Sequence, residues 1–317
     1  MSAAARGFIF PGQGSQRVGM GRGLAEAFSA ARQVLDEVDD ALDQRLSTLM
    51  FEGPEDELTL TQNAQPAMLA VSLAVARTLE AEGGFVLADK CAYVAGHSLG
   101  EYSALAAVGS FSVADAARLL RRRGLAMQQA VPVGGGAMAA FLGVDLDVAA
   151  TIAEMASEGL VCSAANDNAP GQVVISGARD AVIRAMAIAP DHGVRRCVEL
   201  PVSAPFHCAL MAPAAEVMAE ALAETAMAAP AVPLVANVTA RAETEPERIR
   251  GLLVEQVTAM VRWRESVLFM RDEGVDSLVE LGVGKVLSGL TRRIDRGLGG
   301  VSIEQPDELA AFLEEGI

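Results

Sequence analysis

Cys91-Ala92-Tyr93-Val94-Ala95-Gly96-His97-Ser98-Leu99-Gly100-Glu101 is the stretch whose reading decides the fold. Its first five residues make a strand-like apolar run. A helix-forming segment follows from Glu101 to about Ala107. Between the two stands G-x-S-x-G, and strand, sharp turn, helix is the context of a nucleophile elbow. The flanking glycines let the backbone pass through a strained turn and leave no side chains crowding the serine. Ser98 then stands at the carboxyl end of the strand, over a helix N-terminus whose free N–H groups favour negative charge. Taken alone the pattern also fits a structural glycine-rich turn; its placement favours the elbow.

Working outward, Phe8-Ile9-Phe10 reads as a short buried strand ending in the loop Pro11-Gly12-Gln13-Gly14-Ser15-Gln16. Helical patterning predicts helices over 24–38, 67–81, 101–107 and 113–129. Strands alternating with helices predict a parallel sheet covered on both faces. At Pro132-Val133-Gly134-Gly135-Gly136 the composition shifts, as at a hinge. Beyond it the order is strand 137–143, helix 148–158, strand 160–165, a turn at 166–171, strand 172–176, helix 180–188 and strand 195–200. That β-α-β-β-α-β order is the signature of a ferredoxin-like unit. Then come helix 213–226, strand 234–237, helix 249–260, strand 275–280, helix 286–294, a short strand and a helix over 307–315. The fold expected is α/β: a large α/β-hydrolase-like domain with a parallel sheet, plus a small inserted ferredoxin-like α+β subdomain. The large domain takes residues 1–131 and 203–317, the insertion 132–202.

The 317 residues are 51% hydrophobic and 21% charged, as in a globular chain with a sizeable core. The N-terminus runs into a strand without a signal-peptide core, and the longest apolar stretch, 67–76, is too short to span a bilayer. A soluble cytoplasmic protein is expected, with no membrane partner. Cys91, Cys162, Cys197 and Cys208 show no C-x-x-C spacing and read as buried reduced thiols; no metal site is expected. A net charge of −16 argues against nucleic acid. Basic side chains are nevertheless grouped, at Arg121-Arg122-Arg123 and at Lys285, Arg292, Arg293 and Arg296. Such groups present a face to an anionic partner or are solvated helix faces.

A serine hydroxyl is a poor nucleophile until a base takes its proton, and histidine is the usual base. The chain has three. His97 adjoins Ser98 and points elsewhere, as a packing or turn residue. His192 lies in a polar turn, Asp191-His192-Gly193. His207 follows Pro205-Phe206 where the chain re-enters the large domain, and is the candidate base; a buried structural histidine is the competing reading. No acidic residue lies near it in sequence; a carboxylate from a distant segment would orient the ring, or a main-chain carbonyl with less charge stabilisation. Leu99 would give one oxyanion N–H, and the loop Gly12-Gln13-Gly14 a second. That G-x-G is a weak dinucleotide signal without a third glycine.

Four motifs in order now resemble a known family: 10–16 (FPGQGSQ), 96–101 (GHSLGE), 168–177 (NAPGQVVISG) and 205–211 (PFHCALM). They are similar to malonyl-CoA:acyl carrier protein transacylases, and to the acyltransferase domains of polyketide synthases, over about residues 7–294. The resemblance implies a two-step transfer in fatty-acid biosynthesis. Serine takes malonyl from coenzyme A and passes it to the phosphopantetheine thiol of acyl carrier protein. Malonyl-CoA and the carrier protein are the implied partners; the coenzyme A thioester is a substrate, and no cofactor is implied. By motif matching Ser98 is the nucleophile, His207 the base, and Gln256 the residue whose carbonyl orients the histidine. Gln13 and Leu99 give the oxyanion N–H groups, and Arg123, Phe206 and Gln13 meet the substrate. A guanidinium grips a carboxylate bidentately; without the family, Arg123 would read as a surface helix residue. Phe206 leaves little room for a methyl branch. The chain departs from the family at Gly282-Val283-Gly284-Lys285, where proline is usual at the second position. The alternatives are a serine esterase or thioesterase of the α/β-hydrolase type, a polyketide-pathway acyltransferase, and a non-catalytic binding module.

Overall fold

Phe8, Ile9 and Phe10 are all fully buried, and their alternation shows how the main sheet is covered. Phe8 and Phe10 join the core that includes Met68, Val71 and Leu105. Ile9 points the other way, among Trp263, Val267 and Leu287. A period of two with both faces apolar is what a central parallel strand requires.

The structure, a computed structural model, describes residues 5–314. The described strands are β1 (Ala5–Phe10), β2 (Tyr93–Gly96), β3 (Gly136–Leu142), β4 (Cys162–Ala169), β5 (Gln172–Ala178), β6 (Arg196–Glu199), β7 (Leu234–Ala236), β8 (Arg241–Glu243), β9 (Val275–Leu281) and β10 (Gly299–Ile303). The larger sheet has the order β10-β9-β1-β2-β7-β8. It is parallel except at β8, which runs antiparallel to β7. The smaller sheet, β4-β5-β3-β6, is antiparallel throughout. It carries the helices Leu146–Ser157 and Arg179–Ile188 over its own core around Phe141, Ile152 and Ile175. The fold is α/β with a second, ferredoxin-like sheet, as expected.

Several elements differ from the sequence expectation. The single helix over 24–38 is two, Arg22–Ala27 and Ser29–Leu42, because Phe28 takes an extended conformation between them. The helix expected over 67–81 begins at Thr61, with Pro66 inside Thr61–Gly83. The turn over 166–171 is mostly strand: β4 runs on to Ala169, and Asp167 N–H donates to the Val261 carbonyl at 2.9 Å while Val261 N–H donates to Ala165 at 2.9 Å. A partner from a distant segment satisfies the backbone there, which no local signal reveals. Helix 249–260 ends at Glu255, and helix Trp263–Asp272 and strand β8 were not anticipated. The four thiols are free, but Cys91, Cys162 and Cys197 are only half-buried. Residues 1–4 of the expected large domain, its last residues 315–317 and the expected end of the closing helix, Glu315, lie outside the described residues. Among the described residues no helix is long and apolar enough to cross a membrane, and no group of three or more acidic, cysteine or histidine side chains could hold a metal ion.

Helix Val113–Ala130 packs on Thr61–Gly83 so closely that a Cβ on Gly124 would lie 2.5 Å from Gln62 Cα and 2.7 Å from the Thr61 carbonyl oxygen. Alanine would gain about 1 kcal/mol of helix propensity. Both obstructing atoms are backbone, so overpacking outweighs that gain. Gly124→Ala is expected to lower stability by about 1–2 kcal/mol. A urea midpoint equal to or above that of the unaltered protein would contradict this contact.

Candidate active site

At the end of β2 the chain turns through Ser98 in the left-handed region, with φ of 53°. A non-glycine residue held there stores strain, a known feature of functional positions. The two glycines of the motif are required by contact. A Cβ on Gly96 would lie 1.9 Å from the Gly100 carbonyl carbon, and one on Gly100 would lie 2.2 Å from the Phe10 carbonyl oxygen. Helix Gly100–Ala107 therefore starts against the end of β1. Asn237, just past β7, clamps the turn: its Oδ1 accepts from Ser98 N–H at 2.8 Å and its Nδ2 donates to the Gly96 carbonyl at 2.7 Å.

His207 also has positive φ, 58°, and is buried. Its Nε2 lies 2.8 Å from Ser98 Oγ. Its Nδ1 lies 2.9 Å from the main-chain carbonyl of Gln256 and 3.2 Å from that of Ala259. Carbonyls only accept, so the proton is assigned to Nδ1 and the Nε2 lone pair faces the serine. The helix Pro246–Glu255 stops one residue before Gln256, which frees these carbonyls for the ring. Burial first, and then the Arg123 charge, push His207 down from 6.5 to about 3, against the pull of the two carbonyls. The imidazole is therefore a neutral acceptor at ordinary pH.

Arg123 is 1% exposed, unlike its neighbour Arg122, which pairs with Glu224. Its guanidinium donates to Gln256 Oε1 at 2.8 Å, to Gln65 Oε1 at 2.8 Å and to Ser98 Oγ at 3.1 Å. Its Nε is buried and unpartnered, and its acceptors among the described residues, two glutamine oxygens and the serine oxygen, include no carboxylate. Ser98, His207 and Arg123 open into a cleft of about 650 Å³, which Gln13, Leu99, Phe206 and Met138 also line. Leu99 caps the helix Gly100–Ala107, and its N–H and that of Gln13 have no acceptor among the described residues. The Gln13 side chain is held by the Thr61 hydroxyl at 2.7 Å.

The structure thus brings Ser98, His207, Gln256, Arg123, Gln13, Leu99 and Phe206 to one place. His97 is a turn residue that also lines the cleft, with Nε2 2.9 Å from Asn168 Oδ1. His192 is half-buried in the turn Ala189–His192 and does not line it. Asn237, Glu101 and Gln65 were missed. The available signal for Asn237 was its place at the carboxyl end of a parallel strand, where α/β sites gather. Lys285, Arg292, Arg293 and Arg296 are exposed, but Lys285 pairs with Glu308 at 2.8 Å, and Arg292 and Arg293 donate to the Gly300 and Pro170 carbonyls.

A nucleophile elbow whose serine meets a neutral histidine and a buried arginine, on an α/β sheet with a small second sheet, defines a serine acyltransferase. The chain belongs to the acyl transferase domain family, whose model matches residues 7–295. It is 46% identical over 307 residues to the malonyl CoA-acyl carrier protein transacylase of Escherichia coli (strain K12), covering 97% of this chain and 98% of that protein. It is 44% identical over 308 residues to the enzyme of that name from Bacillus subtilis (strain 168), covering 97% and 96%. Among solved structures, the acyl-carrier-protein-S-malonyltransferase of Bartonella henselae superposes with a TM-score of 0.96 at 53% identity, over 98% of this chain and 99% of that one. A malonyl-transacylase in complex with its type II polyketide synthase acyl-carrier protein gives 0.95 at 41% identity, over 99% and 100%.

The depressed His207 value has a direct readout. Between 6.5 and about 3 the unfolded chain binds a proton at this position that the folded chain refuses, so acid weakens the fold across that window. The folded imidazole is expected to stay neutral, with its proton on Nδ1, from pH 8 down to pH 5. Nitrogen chemical shifts of labelled histidine measure this; a His207 ring that titrates near pH 6.5 would contradict the burial argument.

Proposed function

We propose that this protein moves malonyl from malonyl-CoA to the phosphopantetheine thiol of acyl carrier protein through a malonyl-Ser98 ester, as a step of fatty-acid biosynthesis. Ser98 Oγ attacks the thioester carbonyl while His207 Nε2 takes its proton. The oxyanion is received by the N–H groups of Leu99 and Gln13. As the carbon–sulfur bond breaks, coenzyme A leaves as its thiol with the proton from His207. The carrier thiol then gives its proton to His207 and attacks the ester, and Ser98 recovers a proton as it leaves. The Gln256 carbonyl keeps the ring aligned.

The observation that carries the substrate is Arg123: a buried guanidinium without a carboxylate partner, 3.1 Å from the serine oxygen. The malonyl carboxylate supplies the missing charge. It also offsets the repulsion between Arg123 and a protonated His207, which helps to hold that ring neutral. A serine esterase of the α/β-hydrolase type has no use for this cation, and its chain order is serine, then an acid that orients the histidine, then that histidine near the C-terminus. Here the partner is a carbonyl, and β9, β10 and several helices follow His207. A polyketide-pathway acyltransferase uses the same acyl-serine chemistry toward its own carrier protein. The reading requires no cofactor, takes Phe206 as the wall beside the acyl group, and divides the chain at 131/132 and 202/203. It includes a cytoplasmic location, with which four free thiols agree.

Ser98→Ala should abolish covalent malonylation. An intact-mass spectrum that still shows a malonyl adduct on this variant after treatment with malonyl-CoA would sink the proposal.

Arg123→Ala should change selectivity more than it lowers overall activity. It leaves the malonyl carboxylate buried without its partner, a loss of roughly 2–5 kcal/mol. Acetyl has no carboxylate and loses nothing comparable. The ratio of malonyl to acetyl loading from the two coenzyme A thioesters should fall steeply; an unchanged ratio would assign the carboxylate to another residue.

A further inference from the structure

The serine, the histidine and the arginine are held by a set of buried side chains that meets at one carboxylate. Glu101, in the first turn of helix Gly100–Ala107, is 1% exposed. Its Oε1 accepts from the main-chain N–H of Asn237 at 2.6 Å, and its Oε2 accepts from Gln256 Nε2. Asn237 is the residue that clamps both ends of the elbow, at Ser98 N–H and the Gly96 carbonyl. Gln256 does three things at once. Its Nε2 also donates to the Ser98 carbonyl at 3.0 Å, its Oε1 receives Arg123, and its main-chain carbonyl receives His207 Nδ1. We propose that Glu101 is a positioning residue for the transfer, acting on the nucleophile through Asn237 and on the base and the arginine through Gln256.

The hydrogen-bond inventory makes a carboxylate necessary. The Asn237 N–H is main chain and can only donate. The Gln256 amide is turned by Arg123, which donates to its oxygen, so its nitrogen must face Glu101. Two donors therefore converge on two acceptor oxygens. The isosteric change Glu101→Gln has a single oxygen. It must set a donor against Asn237, or force the Gln256 amide to flip and set a donor against Arg123. Either outcome displaces a reacting group, and a displacement of this kind far from the chemistry can cost about 10²-fold in rate. The cleft itself is unaltered, because Glu101 does not line it.

The inference rests on the acyl-transfer reading of Ser98. That reading fails on Ser98→Ala; this inference fails on Glu101→Gln while the unaltered protein still acylates. The measurement is single-turnover malonylation of Ser98 over a range of malonyl-CoA concentrations. Glu101→Gln is expected to lower the limiting rate by about 10- to 10²-fold with KM changed less than about threefold. A rate lowered less than tenfold, or a rise in KM that accounts for the loss, overturns it. A pH profile gives a readout that needs no stable variant. Burial raises the Glu101 carboxyl to about 8, against its two donors and Arg123, the charged group that faces it; Tyr102 is the other titratable neighbour. The ionised form makes the contacts, so the rate for the unaltered protein should fall as pH drops through that value, where His207 is already neutral. A flat profile from pH 9 to pH 6, or the same acid limb in Glu101→Gln, overturns the assignment.

Discussion

Everything at this site depends on how closely two stretches of main chain approach at the elbow. Helix Gly100–Ala107 abuts the ends of β1 and β2 with no room for a Cβ at Gly96 or Gly100. That contact forces Ser98 into a positive φ that serine adopts only under constraint, at a cost of order 1–3 kcal/mol. The strain persists because the turn is over-determined. The Asn237 side chain bonds both its ends, and the Gln256 side chain bonds the Ser98 carbonyl. The reward is directional: the hydroxyl leaves the sheet edge toward the cleft, and the helix starts directly behind it.

The electrostatics follow from the same burial. A buried cation without an ion-pair partner is costly unless its donors are met. Arg123 is met by two glutamine oxygens and the serine oxygen, all neutral, so it is tolerated without being satisfied in charge. Glu101 lies one amide farther on, joined through Gln256, and opposes that charge at a distance when it is ionised. His207 is kept neutral by the same dry surroundings and by the arginine itself. Among the described residues the site thus leaves the Arg123 Nε–H and the Leu99 and Gln13 N–H groups unmet and is short of one negative charge at the cleft, which is the charge a malonyl group brings.

Much of this was legible in the chain. The short apolar run at Phe8–Phe10, the strand-turn-helix around Ser98 and the β-α-β-β-α-β order after Pro132 are local patterns, and local patterns decide secondary structure and fold class. G-x-S-x-G was readable for a further reason: the steric demand of the elbow falls on residues two positions either side of the serine. His207 could be chosen by elimination, and the missing acid beside it was itself informative, since the ring turned out to lean on carbonyls.

What the sequence by itself determined, then, was the α/β architecture, the nucleophile candidate and the shortlist for its base, because each depends on neighbours along the chain. The tertiary structure alone decided the rest. It separated Arg123 from Arg121 and Arg122 by burying one of three adjacent arginines. It ended a helix at Glu255, where the pattern continued, so that carbonyls became free for His207. It drew β4 through a turn-like stretch by pairing it with Val261, and it gathered Asn237, Gln256 and Glu101 from positions up to 155 residues apart. Hydrogen bonds between distant segments leave no period and no spacing in a sequence; they exist only once packing has removed the water that would otherwise have satisfied the same groups.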